Sequence, residues 1–233
     1  MTTASHTHSQ QMDCDWIAPY YKFLEHCSFG DELEKRRFAF IETAKEAKRA
    51  IVCGGGDGRF LARLLRTNRN VNVDYVDLSP KMAALARERV ASLGITEVER
   101  VRFHICDLRE FEPDCSGYDL IVTNFFLDCF DDEDVFAVVA RLAAMAGPNA
   151  HWIVSEFCIG ERRAARIFGR AIVRGLYFAF RMTTGLRVTK LPDYEAALSK
   201  AGFVVRREAR ALRGLLRSSV WEKRQLGAVL HRK

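Results

Sequence analysis

The chain has few prolines, five in 233 residues, and no run of about 20 apolar residues that would cross a bilayer. Its most apolar stretch, Ile167 to Phe180, is cut by Arg170 and Arg174. The opening MTTASHTHSQQMD has neither the basic start nor the apolar centre of a secretory leader. A soluble, cytoplasmic protein is therefore expected. The seven cysteines (14, 27, 53, 106, 115, 129 and 158) include no CxxC pair, which argues against a zinc knuckle and a thioredoxin-type site. Their odd number and scatter, several inside apolar stretches, suit reduced structural thiols. No metal site is expected, and there is no internal repeat or low-complexity segment.

What is present suits a globular fold. Hydrophobic residues make up 48% and charged residues 28%, enough apolar material for a substantial core and too much for a disordered chain. The net charge of +6 permits an anionic partner without demanding one. Residues 1–13 read as a loose polar tail and 14–233 as one domain. Within it, 14–48 is helical, with Trp16, Tyr20, Phe23, Leu24, Leu33, Phe38 and Ile41 as its apolar positions.

From residue 49 to 157 strands and helices alternate. Strands are expected at Ala50–Cys53, Val71–Asp77, Val98–Cys106, Asp119–Thr123 and Ala150–Phe157. The intervening helices are Asp57 to about Arg66, a segment capped by Ser79 with Pro80 in its first turn, and one opened by Asp131, Asp132, Glu133 and Asp134. That rhythm implies an α/β, doubly wound and mostly parallel sheet. Beyond Phe157 come a long helical stretch from Glu161 to about Met182, a short helix closing at Gly202, and two β-like runs, Phe203–Ala211 and Leu215–Trp221.

The most informative string is Ile51-Val52-Cys53-Gly54-Gly55-Gly56-Asp57-Gly58-Arg59. Glycines between a strand and a helix let backbone approach a ligand and adopt positive φ, and the helix start offers free N–H groups. A nucleotide P-loop would need Gly-Lys-Ser/Thr where Gly58-Arg59-Phe60 stands. A dinucleotide fingerprint would need glycine at Arg59. What remains is GxGxG at Gly54, Gly56 and Gly58.

This spacing resembles motif I of class I S-adenosylmethionine (AdoMet) methyltransferases, and the likeness continues in order across roughly Ala50–Phe157. The resemblance implies a seven-stranded Rossmann-like sheet and AdoMet as co-substrate. It implies that Asp77, followed by Leu78 and Met82, accepts hydrogen bonds from both ribose hydroxyls. Asp107 and Leu108 would meet the adenine edge, and Tyr118-Asp119-Leu120-Ile121-Val122-Thr123-Asn124 resembles motif IV, beneath the reacting methyl. Gly54, Gly56, Asp57, Gly58 and Asn124 would hold the methionine part. Asp77 could instead simply cap the helix that begins near Ser79. Val52 departs from the pattern, since the family often has an acidic residue there; Asp57, Asn124 or backbone carbonyls would have to serve the methionine amino group. The glycine string also resembles the loop of polyamine aminopropyltransferases, but their acidic pair after strand four is replaced by Asn124-Phe125-Phe126.

The acceptor is less legible. No Asn/Asp-Pro-Pro-Tyr/Phe signature and no Pro-Cys nucleophile occurs, which removes support for nucleic-acid and protein substrates. Segment 158–190 carries arginines at 162, 163, 166, 170, 174 and 181 among apolar and aromatic residues. With the 14–48 helices it resembles the substrate-covering elements of small-molecule methyltransferases, notably the ubiquinone/menaquinone carbon-methyltransferases, and 191–233 resembles their closing helix and strands. A small hydrophobic or aromatic acceptor, possibly lipid-like, is implied, with 161–182 able to touch an anionic membrane surface. Asp128 and Tyr21 are the candidates for a catalytic group. An RNA methyltransferase using the basic surface, a non-catalytic AdoMet-binding protein and an aminopropyltransferase remain as rival readings. The sequence gives no oligomeric state.

Overall fold

The computed structural model describes residues 31–113, 117–158 and 191–224. Helix α1 (Glu32–Arg37) and a 3-10 turn (Ile41–Glu46) lead into the sheet. The alternating part comprises β1 (Arg49–Cys53), α2 (Arg59–Thr67), β2 (Asn72–Asp77), α3 (Pro80–Ala91), α4 (Ile95–Glu99), β3 (Val101–Ile105), β4 (Tyr118–Asn124), α5 (Asp132–Met145) and β5 (Ala146–Phe157). It closes with α6 (Tyr194–Lys200), β6 (Phe203–Ala211) and β7 (Leu216–Lys223). The tail, Tyr20, Tyr21 and the 161–182 segment lie outside the described residues.

The seven strands run in the order β3-β2-β1-β4-β5-β7-β6. Strand β7 is antiparallel to both its neighbours, and the other observed pairings are parallel. The chain builds outward from β1 through β2 and β3, then returns to add β4 on the other side. The direction therefore reverses between β1 and β4, and a crevice opens beyond their carboxyl ends, the place where open α/β sheets bind ligands.

Period-two patterning explains why both faces are covered. In β1, Ala50 and Val52 turn to one face and Ile51 and Cys53 to the other, all buried. The first face receives Phe40, Ile41, Phe60, Leu61, Ala83 and Ala86, from the 3-10 segment, α2 and α3. The second receives Val135, Val138 and Leu142 from α5 with Tyr194 and Leu198 from α6. Each fully buried aliphatic side chain contributes roughly 1.5–3 kcal/mol. Truncating Leu142, fully buried in the second layer, would therefore cost about 2–5 kcal/mol once the cavity is included.

The helix starts follow their caps. Ser79 Oγ accepts from Met82 N at 3.2 Å with Pro80 in the first turn. Asp131 Oδ1 accepts from Asp134 N at 2.9 Å, and Asp132, Glu133 and Asp134 meet the positive end of α5. Two boundaries differ from the sequence reading. Val98 belongs to α4 and is 40% exposed, so β3 begins only at Val101. Strand β5 begins at Ala146, directly after α5, and contains Gly147 and Pro148. Its register against β4 shifts between Tyr118↔Ala146 and Leu120↔His151, and this irregularity accommodates a proline that cannot donate to the ladder.

Candidate active site

The carboxyl ends of β1 and β4 carry the glycine turn and Asn124. Gly54 N donates to Val76 O at 2.9 Å, which pins the turn to β2. Gly56 and Gly58 have φ of +56° and +77°, the left-handed region that side chains resist. Their roles differ. A Cβ at Gly58 would stand 2.7 Å from Ala86 Cα, so glycine there lets α2 start against α3. A Cβ at Gly56 would meet nothing within 4 Å, so that backbone faces open space, as close approach by a ligand requires.

Asp77, half-buried at the end of β2, is turned toward the same turn. Its Oδ2 accepts from Gly56 N at 3.0 Å and from the Tyr75 hydroxyl at 3.2 Å, and its Oδ1 accepts from Ser79 N at 2.9 Å. Burial pushes this carboxyl up, against the opposing pull of these hydrogen bonds. A carboxylate has about four acceptor positions, and the single Tyr75 proton lies closer to the Gly56 carbonyl at 2.5 Å, so the two amide donors leave room for two more. Leu78 beside it is half-buried, and Met82 is buried on α3.

Asp57 has another task. Its carboxylate is held by Arg59 Nε at 3.0 Å and Arg89 Nη2 at 3.1 Å, while Arg89 Nε donates to its carbonyl at 2.8 Å. It therefore clamps the turn to α3. Asp107 follows β3, and Arg109 Nη2 donates to its Oδ2 at 2.6 Å. Burial raises that carboxyl, but the hydrogen bonds from Arg109 outweigh it and hold it below the usual range. Leu108 is buried next to it.

A small cleft opens between the glycine turn and the end of β4, lined by Arg37, Gly54–Asp57, Arg59, Phe60, Val122, Asn124 and Phe125 among others. Asp77, Leu78, Met82, Asp107 and Leu108 lie on the β2–β3 side and do not line it. Within the cleft, both amide atoms of Asn124 are buried without a hydrogen-bond partner. Such groups are costly, and a bound polar ligand is one way to satisfy them. Phe125 holds φ +54°, an uncommon conformation for a bulky residue and one that clusters at functional sites. Its ring lies 5.4 Å from that of Phe157 and 5.7 Å from the Arg37 guanidinium.

The sequence reading missed Arg37, which lines the cleft, and Phe157 and Glu156, which stand behind its wall against Phe125 and the amides after it. Arg37 sits here because Ser155 Oγ and Ser218 Oγ both donate to the Arg36 carbonyl, at 3.1 and 2.7 Å, and tie the end of α1 across the sheet. No local motif signals contacts of that sequence separation. Asp128, expected as a candidate catalytic group, is buried, with Cys129 Sγ 3.7 Å from its Oδ1. Burial pushes it up to about 6. Among the described residues no cluster of His, Cys, Asp or Glu suited to a metal ion occurs, and the four described cysteines are free thiols.

A sheet in this strand order, with a left-handed glycine turn after β1 and an acidic strand end beside it, defines the class I methyltransferase fold. Residues 51–152 match the family described as a methyltransferase domain. The chain is similar to polyamine aminopropyltransferase 2 of Bacillus cereus, 36% identical over 85 residues that cover 34% of this chain and 23% of that protein. It is thus matched to under a quarter of that relative's length. Among solved structures it is similar to a mitomycin 7-O-methyltransferase, with TM-score 0.64 and 20% identity over 92% of this chain and 62% of the other. It is also similar to the 1,6-didemethyltoxoflavin N1-methyltransferase of Burkholderia thailandensis, solved with that compound and S-adenosylhomocysteine, with TM-score 0.63 and 19% identity over 97% and 92% of the two chains. At such identities these structures establish the fold. No helix among the described residues is long and apolar enough to cross a membrane.

Proposed function

We propose that this protein transfers the methyl group of AdoMet to a small hydrophobic or aromatic acceptor. The observation that carries the reading is the cleft at the sheet's reversal point, where the open backbone of Gly56, the unpartnered amide of Asn124 and the Phe125–Phe157 pair come together. AdoMet supplies a methyl group on a positively charged sulfur, transferable in a single displacement. The protein's work is therefore positioning and exclusion of water.

The residues present suit that ligand. Asn124 Oδ1 accepts from the methionine ammonium, a role for which Val52 has no group. Arg37, opposite, pairs with the methionine carboxylate, a contact suited to a guanidinium. Asp77 accepts from the sugar hydroxyls, and Asp107 with Leu108 meets the adenine. The Phe125 ring, tilted 53° against that of Phe157, offers an aromatic face against which an aromatic acceptor lies. The solved neighbours that act on mitomycin and toxoflavin precursors support this acceptor class. The arginines of segment 161–182 suit an anionic membrane surface in this reading. The aminopropyl reading is weaker, because the carboxylates nearest the end of β4, Asp128 and Glu156, are buried beneath the turn and do not line the cleft.

The test is incubation with methyl-labelled AdoMet and acceptor fractions divided into hydroxylated naphthoic acids, lipids, polar metabolites, RNA and peptides. The reading expects S-adenosylhomocysteine together with label in an aromatic or apolar small molecule. Label in RNA or peptide, or binding without turnover on any fraction, overturns it. Release of methylthioadenosine from decarboxylated AdoMet with putrescine would establish the aminopropyl reading instead.

A further inference from the structure

Beneath the cleft lies a buried carboxyl pair that the proposed chemistry does not use. Glu156, near the end of β5, is fully buried. Its Oε1 accepts from Phe126 N at 3.1 Å and from Leu127 N at 2.8 Å, the two amides that follow Phe125. Asp128, one residue further on, is buried as well, close enough for its charge to act on Glu156, whose Oε2 has no hydrogen-bond partner. Two carboxyls in contact away from water do not both ionise, so the pair retains a proton.

We propose that Glu156, in partnership with Asp128, is the positioning residue of the site: it fixes the turn after β4 and so presents Asn124 and Phe125 to the cleft. This inference rests on the AdoMet-binding reading above. The geometry gives the reason. Phe125 stands in a left-handed conformation that its side chain disfavours, held from one side by its N–H to Ser155 O at 2.6 Å. The carboxyl under the next two amides holds it from the other. A strained residue persists only where its surroundings over-determine it. Relaxation of Phe125 would move both the ring facing Phe157 and the amide of Asn124 immediately before it.

The pair also makes the turn dependent on pH. Loss of the retained proton places two like charges together in a dry site and drives the carboxylates apart, which loosens the turn as pH rises. The cation on the facing strand is already engaged with other carboxylates. Cys129 faces Asp128, while Cys158 and the Tyr194 hydroxyl, which has no hydrogen-bond partner, face Glu156. Arg217, directly opposite Glu156 on β7, is already paired with Glu195 and Glu208. Burial acts on Glu156 in the same direction as its partner's charge, and both carry its titration well above the ordinary glutamate range.

The experiment measures AdoMet dissociation constants by calorimetry from pH 6 to 9 for the wild-type chain, Glu156→Gln and Glu156→Leu, with thermal melts of each. Glutamine keeps the accepting oxygen and cannot ionise; leucine cannot ionise either and has no accepting oxygen. The expected result is binding at least tenfold weaker at pH 7 for Glu156→Leu, restored to within about threefold of wild type by Glu156→Gln. The wild-type to Glu156→Gln ratio of constants, which cancels titration of the ligand's own amino group, rises at least threefold toward pH 9. A ratio flat across this range, or a folded Glu156→Leu that binds as tightly as wild type, overturns the proposal. Should Glu156→Leu not fold, the ratio decides. Absence of AdoMet binding in the wild-type chain instead refutes the functional reading on which the proposal rests.

Discussion

Replacing Asp77 by alanine separates two roles that the structure superimposes. The carboxylate accepts from Gly56 N, Ser79 N and the Tyr75 hydroxyl. Tyr75 keeps a second partner, the Gly56 carbonyl at 2.5 Å, so the substitution orphans chiefly two backbone donors. An orphaned buried donor costs about 1–3 kcal/mol, and water can reach this half-buried site, so the expected loss of stability is roughly 1–3 kcal/mol in all. Binding suffers separately. A hydrogen bond to a charged group contributes about 1.5–3 kcal/mol, so loss of the sugar contacts, about 3 kcal/mol together, weakens AdoMet at least 100-fold. Asp77→Asn keeps one accepting oxygen and should fall between, about tenfold weaker. Urea unfolding reads the first quantity and calorimetric titration with AdoMet the second. If Asp77→Ala lowers stability but leaves the dissociation constant within threefold of wild type, Asp77 is only a cap for the turn and α3, and the assignment to ribose is refuted.

Three further outcomes follow from named contacts. Arg37→Ala should weaken AdoMet by about 10- to 100-fold through loss of a charge-assisted pair, with Arg37→Lys recovering only part, because a point charge replaces a planar fork; equal binding by all three proteins would remove Arg37 from the site. Gly58→Ala should lower the unfolding free energy by about 2 kcal/mol or more, from the φ of +77° together with the 2.7 Å approach to Ala86, whereas Gly56→Ala, with no neighbour within 4 Å, should cost only about 1 kcal/mol of stability but impair binding. Asp128 titrates higher in the native chain, at about 6, than when unfolded, so it contributes stability at low pH that is lost as pH rises through 4 to 6. The stability of Asp128→Asn relative to wild type should therefore rise by about 1–3 kcal/mol between pH 4 and 7, and a difference independent of pH would contradict the placement of that carboxyl.

What could be read without coordinates was whatever local backbone chemistry dictates. Gly54, Gly56 and Gly58 announce a turn because side chains resist its φ values, and Ser79-Pro80 and Asp131 announce helix starts by satisfying amides that the helix itself cannot. The unbroken apolar runs of β1 and β4 reveal two covered faces. Val98 looks like the start of a strand, yet it is exposed on a short helix behind Gly94, and its spacing of three from Ile95 is the helical one. Gly147-Pro148 reads as a break, and only the irregular register against β4 shows how a strand contains it. Arg37 and Glu156 were illegible for a different reason. Each owes its place to partners far along the chain, Ser155 and Ser218 behind Arg36 in one case and the Phe126 and Leu127 amides in the other. Asp57 shows the converse: a motif residue whose carboxylate turns out to serve the scaffold through Arg59 and Arg89.

The most direct test of the account is a crystal structure of the protein with S-adenosylhomocysteine. The account predicts the sugar hydroxyls on Asp77, the amino-acid end between Asn124 and Arg37, and the sulfur directed toward Phe125. A ligand bound elsewhere on the sheet, or one in the cleft with its sugar remote from Asp77, would contradict it.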